Sequence, residues 1–322
     1  MCAMSEGALH WDDPEGVHDM RVASRRLRGA LRDFLPHLRR RPLSSSLLST
    51  RRIARALGRV RDFDVLIAAL KKTADKAPRE MAVGVRRIAD FRQAALEEYR
   101  MKLLHVVAVD SISALRAEFG PAVEAAVRPK RKRGSSAQAT VPADQTTYRT
   151  VARDVILRRL EQFEDLSKSL YRPLRVEPLH ELRIAAKHLR YALELFQECW
   201  EEPTAPFAKQ VSRMQSSLGD LHDCDIWIED FGKAAAEEVE GLEGLEFDYK
   251  ATSVWLMSHF VKLRSKHLSK ALQQWNEWQM ERFSSRLRDL VQPRIVRPKS
   301  RKKKQKINAS KRVSKSGSPG SV

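Results

Sequence analysis

The chain has 322 residues, 42% of them apolar, and a formal net charge of +19. That length permits one large domain or two of about 150 residues, and the apolar share supports a sizeable core. Few β-branched runs and few Asn-Gly or Asp-Gly pairs argue against sheet, so an all-α fold is expected.

The longest apolar runs fall far short of the ~20 residues that a membrane-spanning helix needs. The start, MCAMSEGALHWDDPEG, is acidic and lacks the apolar stretch of a signal peptide. Cys2, Cys199 and Cys224 show no CxxC spacing, and Cys199 and Cys224 read as small core residues. A reducing, cytoplasmic setting is expected. The charge is unevenly spread: Arg297–Val322 contains ten Lys or Arg and no acid. Arg128–Thr147 adds five basic residues against one acid, Asp144, which leaves about +5 for everything else. The high charge therefore belongs mostly to a tail and a linker.

In chain order, Asp12-Asp13-Pro14-Glu15 opens a helix running from about Pro14 to Leu35, with an Asp cap and Pro at the first helical position. A second helix is expected over Leu43–Leu57, ended or bent at Gly58, and a third from Val65, with Asp62 and Asp64, like Asp223 and Asp225 in the second half, capping it and pairing with stripe arginines. Pro78 opens a long helical segment towards Arg128, with breaks near Asp110 and Gly120. Lys130–Thr147 has loop composition and reads as a linker. Helical pattern resumes at Tyr148–Leu170, and Arg172-Pro173 and Glu177-Pro178 bracket a turn. Further helices are expected at Leu179–Phe196, Pro203–Leu218, about Cys224–Glu240 and Leu245–Leu290. The Lys/Ser-rich remainder past Pro293 is expected to be disordered.

The first helix is written twice. Val17–Phe34, VHDMRVASRRLRGALRDF, reappears as Leu179–Phe196, LHELRIAAKHLRYALELF, 162 residues later. On a helix, His18, Arg21, Arg25, Arg28 and Arg32 fall within an arc of about 80°, and an apolar stripe lies on a separate arc. The second copy puts His180, Arg183, Lys187 and Arg190 on one stripe. LGRVRDFDV at Leu57–Val65 likewise aligns with LGDLHDCDI at Leu218–Ile226, a shift of 161. A near-constant shift implies duplicated halves of about four helices, in which a pseudo-two-fold would bring the basic stripes together. Such a stripe suits anions.

These motifs, H-x-x-R-x-x-x-[RK]-x-L-R in each half with L-G-x-x-x-D-x-D-[VI] downstream, resemble the CHAD family, the conserved histidine α-helical domain. The resemblance covers about Asp12 to Gln292. It implies an all-α fold of two pseudo-two-fold-related four-helix-bundle halves about a basic central groove or pore. The halves would be 12–129 and 148–292, followed by a basic tail at 293–322. It also implies binding of inorganic polyphosphate and association with polyphosphate granules. No β-rich triphosphate tunnel domain is visible, so the chain resembles a stand-alone member. Carried over position by position, the binding residues are His18, Arg21, Arg25 and Arg28, matched by His180, Arg183, Lys187 and Arg190. Arg32 extends the first stripe, and on the next helix Arg52 matches Arg213, while Arg55 and Lys209 are basic in one half each. His188 stands where the first copy has Arg26. Only seventeen residues precede His18, so the first half is expected to lack a leading helix like Tyr148–Leu170.

A charge stripe is usually a solvated face. Here basic residues recur at matched positions with little acid at i+4, and close cations repel by roughly 1 kcal/mol per pair in water. His18 and His180 begin the stripes, so binding is expected to strengthen as pH falls from about 7.5 to 6. His222-Asp223 echoes metal-dependent phosphohydrolases, but the matching pair is Arg61-Asp62, and arginine does not ligate metals. No metal, cofactor or catalytic residue is assigned. The expectation is a polyphosphate binder without catalytic activity, with a nucleic-acid-binding protein acting through the tail as the alternative.

Overall fold

The structure, a computed structural model, describes residues 1–127, 147–236 and 248–292. These residues contain nine α-helices and no strand, the all-α fold that the composition implies. Helix α1 (Pro14–Phe34) begins where the Asp-Pro-Glu signal places it. The Asp13 carboxylate accepts the Glu15 N–H at 2.9 Å, satisfying one of the donors a helix start leaves open. Helices α2 (Arg40–Ala74), α3 (Arg79–Val106) and α4 (Val109–Val127) follow. The second half holds α5 (Tyr148–Ser167), α6 (Val176–Leu195), α7 (Ala205–Ala236), α8 (Tyr249–Met280) and α9 (Phe283–Val291).

Several boundaries differ from the sequence expectation. Helix α2 runs unbroken through Gly58, and α7 through Gly219. An interior glycine costs a helix about 1 kcal/mol. The buried stripe Ile53, Leu57, Val60, Ile67 continues past Gly58 at helical spacing, and its packing outweighs that cost. Asp62, Asp64, Asp223 and Asp225 therefore lie inside helices and cap nothing. Helix α6 takes Glu177-Pro178 into its first turn, where proline's missing N–H is not needed. Val107–Ala108 separates α3 from α4 as expected near Asp110, but α4 passes through Gly120–Pro121 without ending. The long second-half segment breaks before Phe283, at Arg282, whose φ is 52°. The linker expected at Lys130–Thr147 lies outside the described residues except for Thr147, which caps α5 by accepting the Thr150 N–H at 3.2 Å. The tail, and the expected helix beyond Ala236, also lie outside them.

Three cores hold the helices. The first joins α1–α4 through Val17, Met20, Leu57, Val60, Leu96 and Leu103. The turns at Cys2–Met4 and Gly7–Leu9 pack on α1 and bury Ala8 there. A side chain at Gly16 would collide with the Gly7 carbonyl oxygen, so a glycine is required at that approach. The second core, from α5, α6, α7, α8 and α9, is built on Phe163, Leu182, Leu189, Phe196, Met214, Trp275 and Phe283. A third core joins the ends of α2 and α3 to α7 and α8 through Leu66, Leu70, Val85, Ile88, Phe231 and Phe260. Burying each such side chain contributes about 1.5–3 kcal/mol.

The two copies of the motif helix also meet directly. Gly29 of α1 lies against Tyr191 of α6, where an added Cβ would be 3.4 Å from the ring. One turn on, Phe34 leaves its own half and packs edge-on against Phe196, with ring centres 5.7 Å apart. Tyr148 stacks on Phe34 at 6.2 Å and closes an aromatic triangle.

Candidate functional site

The contact of α1 with α6 turns the basic stripe of α1 towards that of α6. Between them and α2 lies a cavity of about 360 Å³, walled by Arg21, Arg25, Arg28, Arg32, Arg51 and Lys187. Its lining contains no carboxylate; Gly29, Leu35, Leu47, Ala54, His188 and Tyr191 complete it. Burial and then the charges of Arg25, Arg183, Arg32 and Arg28 lower the Lys187 ammonium to about 7. Burial likewise leads the lowering of Arg21, Arg28 and Arg32. Arginine stays charged even so.

Arg32 is fixed at the far end of the cavity. Its Nη1 meets His188 Nε2, while Nη2 is buried with no hydrogen-bond partner. Behind it, buried Asp33 accepts from Arg159 of α5, tying α1 to the second half. Burial and Arg32 push His188 down to about 3, so it is neutral and accepts from Arg32.

Arg21 and Arg25 also line a second cavity of about 500 Å³. Here acid and base alternate: Arg21 bonds Asp62 at 2.9 Å, while Arg183 faces Asp223. Burial pushes the Asp223 carboxyl up to about 6 against the pull of Arg183. The stripes are thus partly neutralised at Arg21 and Arg183 by acids from α2 and α7. The excess of cations is concentrated in the first cavity. Further out, two ion pairs recur at nearby positions of the repeat. Asp64 lies 3.9 Å from Arg100, and Asp225 lies 2.5 Å from Arg264, each linking adjacent helices.

The remaining residues singled out in the sequence are placed as follows. His180 Nδ1 lies 3.2 Å from His222 Nδ1, so one ring donates to the other. Burial, followed by Arg183, lowers both histidines, His222 to about 4. His18 Nδ1 is buried without a hydrogen-bond partner. Arg190 turns inward to Ser212 at 3.2 Å and Glu194 at 3.3 Å. Arg52, Arg55 and Lys209 are exposed and line none of the cavities described, and Arg213 lines a separate one between α7 and α8. Among the described residues, no group of three or more His, Cys, Asp or Glu is placed to hold a metal ion. No helix among them is long and apolar enough to cross a membrane.

Arg51, Arg59 and Arg92 line the two cavities but were not singled out. Comparison between the copies passes over them, because Ser212 stands opposite Arg51 and Asp220 opposite Arg59. Reading α2 as one helix would have brought Arg51 and Asp62, eleven residues apart, to within about 20° of one face.

Fold and cavity together define an all-helical protein in which two repeated helices wall a cation-lined chamber. A family model, CHAD domain, matches residues 1–232, and the chain belongs to that family. The crystal structure of the CHAD domain from the plant Ricinus communis is similar at a TM-score of 0.61 and 20% identity. The match covers 84% of this chain and 85% of that one, and at that identity the likeness is one of fold. No curated protein sequence matches significantly.

Proposed function

We propose that the protein binds inorganic polyphosphate in the chamber between α1 and α6, without catalysis of its own, and associates with polyphosphate granules. The observation that carries this reading is a chamber lined by five arginines and a lysine, with no carboxylate. Arginines donate bidentately to phosphate oxygens, and a polymer of phosphates supplies the counter-charge that the chamber's own lining lacks. Family membership agrees, because CHAD proteins are associated with polyphosphate in general. The chamber supplies charge but no carboxylate to activate water, which favours a binder. Residues that match between the copies also oppose one another: Gly29 with Tyr191, Phe34 with Phe196, Arg25 with Lys187. These contacts support a pseudo-two-fold through the chamber.

The test is a competition between long-chain polyphosphate and DNA across a salt series, using a chain lacking Arg297–Val322. Polyphosphate should still bind and DNA binding should collapse. Single-stranded nucleic acid gives a guide slope of about −0.7 per phosphate neutralised. Retained DNA binding with no preference for polyphosphate would overturn the reading. The alternative, nucleic-acid binding through the tail, is favoured by ten Lys or Arg in Arg297–Val322 with no acid among them. Release of phosphate from polyphosphate with Mg²⁺ or Mn²⁺ would overturn the non-catalytic part.

A further inference from the structure

The chamber holds a single amine among guanidinium groups. Lys187 enters it from α6, faced by Arg25, Arg28 and Arg32 of α1, by Arg51 of α2, and by Arg183 and the neutral ring of His188 from its own helix. The strongest charges acting on it are all cationic. Buried among them, its amine loses its proton near neutrality, whereas a solvated lysine keeps it to pH ~10.4. The same guanidinium groups are donors for an oxyanion held against that amine. A nucleophilic amine beside an oxyanion cradle meets the two requirements for acylation by a reagent whose leaving group is an anion.

We propose that Lys187 is a self-acylating lysine that takes the acyl group of a small acyl phosphate bound in the chamber. The proposal rests on reading the chamber as a phosphate site. The Nζ lone pair attacks the carbonyl carbon, a C–N bond forms, and the bond from that carbon to the bridging oxygen breaks. Hydrogen phosphate leaves with the amine proton, its charge met by the arginines. Amine plus acyl phosphate thus gives amide plus hydrogen phosphate, with no oxidant or further reactant. The amide cannot take up the proton that bound phosphate draws onto the amine, so the modification denies the chamber one cation and weakens its hold on polyphosphate.

The experiment treats the full-length protein with acetyl phosphate at pH 7.5 and follows acetylation of each lysine by peptide mass spectrometry. It is run with and without excess long-chain polyphosphate, and polyphosphate binding by untreated protein is measured in parallel. Lys187 should react about tenfold or more faster than exposed Lys209, because binding raises the local reagent concentration and its amine gives up its proton far more readily than a solvated lysine does. Polyphosphate should protect Lys187 and not Lys209. Equal rates at the two lysines would overturn self-acylation, and selective protection of Lys187 by polyphosphate would then leave the phosphate-site reading standing. No selective protection while polyphosphate is bound would put the polymer outside the chamber and overturn both. Failure of untreated protein to bind polyphosphate would overturn both.

Discussion

On the proposed reading, the pH dependence that the sequence assigns to histidine is expected to come from Lys187. His180 and His222 are lowered by burial and Arg183, and His188 is held neutral by burial and Arg32. Lys187, at about 7, titrates in the relevant range. Bound phosphate favours its charged form, so binding above pH 7 takes up a proton. Polyphosphate affinity should therefore fall as pH rises from 6 to 8, by up to about tenfold per unit above pH 7. A Lys187→Met chain should show a flatter profile in binding titrations, and His18→Ala with His180→Ala should keep the slope. The opposite pattern would return the role to the histidines. For folding, the unfolded chain keeps the Lys187 proton up to pH ~10.4 while the native chain releases it from about 7. The unfolded state binds more protons across that window, so the stability of the empty protein rises with pH there. The sequence shows that the stripe is basic. It does not show burial, which is what makes one lysine unlike the rest.

At the scale of elements, the repeated helix was legible from its two stripes, and α1 starts at the cap that Asp13 announces. The unbroken course of α2 and α7 was not, because a glycine signals a stop in an isolated segment and only packing shows that it is overridden. A Cβ at Gly58 would meet nothing within 4 Å. Gly58→Ala should therefore raise stability by about 0.5–1 kcal/mol in denaturant unfolding, where a bend at that residue would make it a loss. Gly29→Val should lose about 1–3 kcal/mol by crowding Tyr191. The inter-helix ion pairs differ similarly. Asp225→Ala leaves Arg264 without its carboxylate in a largely buried place and should cost about 3 kcal/mol. Asp64→Ala should cost less, because Arg100 keeps Glu97 at 2.8 Å.

For the whole molecule, the sequence repeat could be read from the constant shift between motifs, and the all-α class from composition, with which the resemblance agreed. The third core could not be read, since nothing local says that Phe231 and Phe260 meet Leu70 and Ile88 across the halves. That core couples them. Phe260→Ala, costing about 3–5 kcal/mol, should lower a single unfolding transition followed by circular dichroism, whereas two separated transitions would show halves that fold independently.

The meeting of Gly29 with Tyr191 has a consequence for assembly. In a pair of identical α6 helices crossing at that position, two phenol rings would compete for the space of one; two copies of α1 would face each other across a gap. Small against large fits only when the partners differ. The two halves are thereby mated to each other, and a copy that strays to a neighbouring chain finds a worse fit with its own kind than with the half it is tethered to.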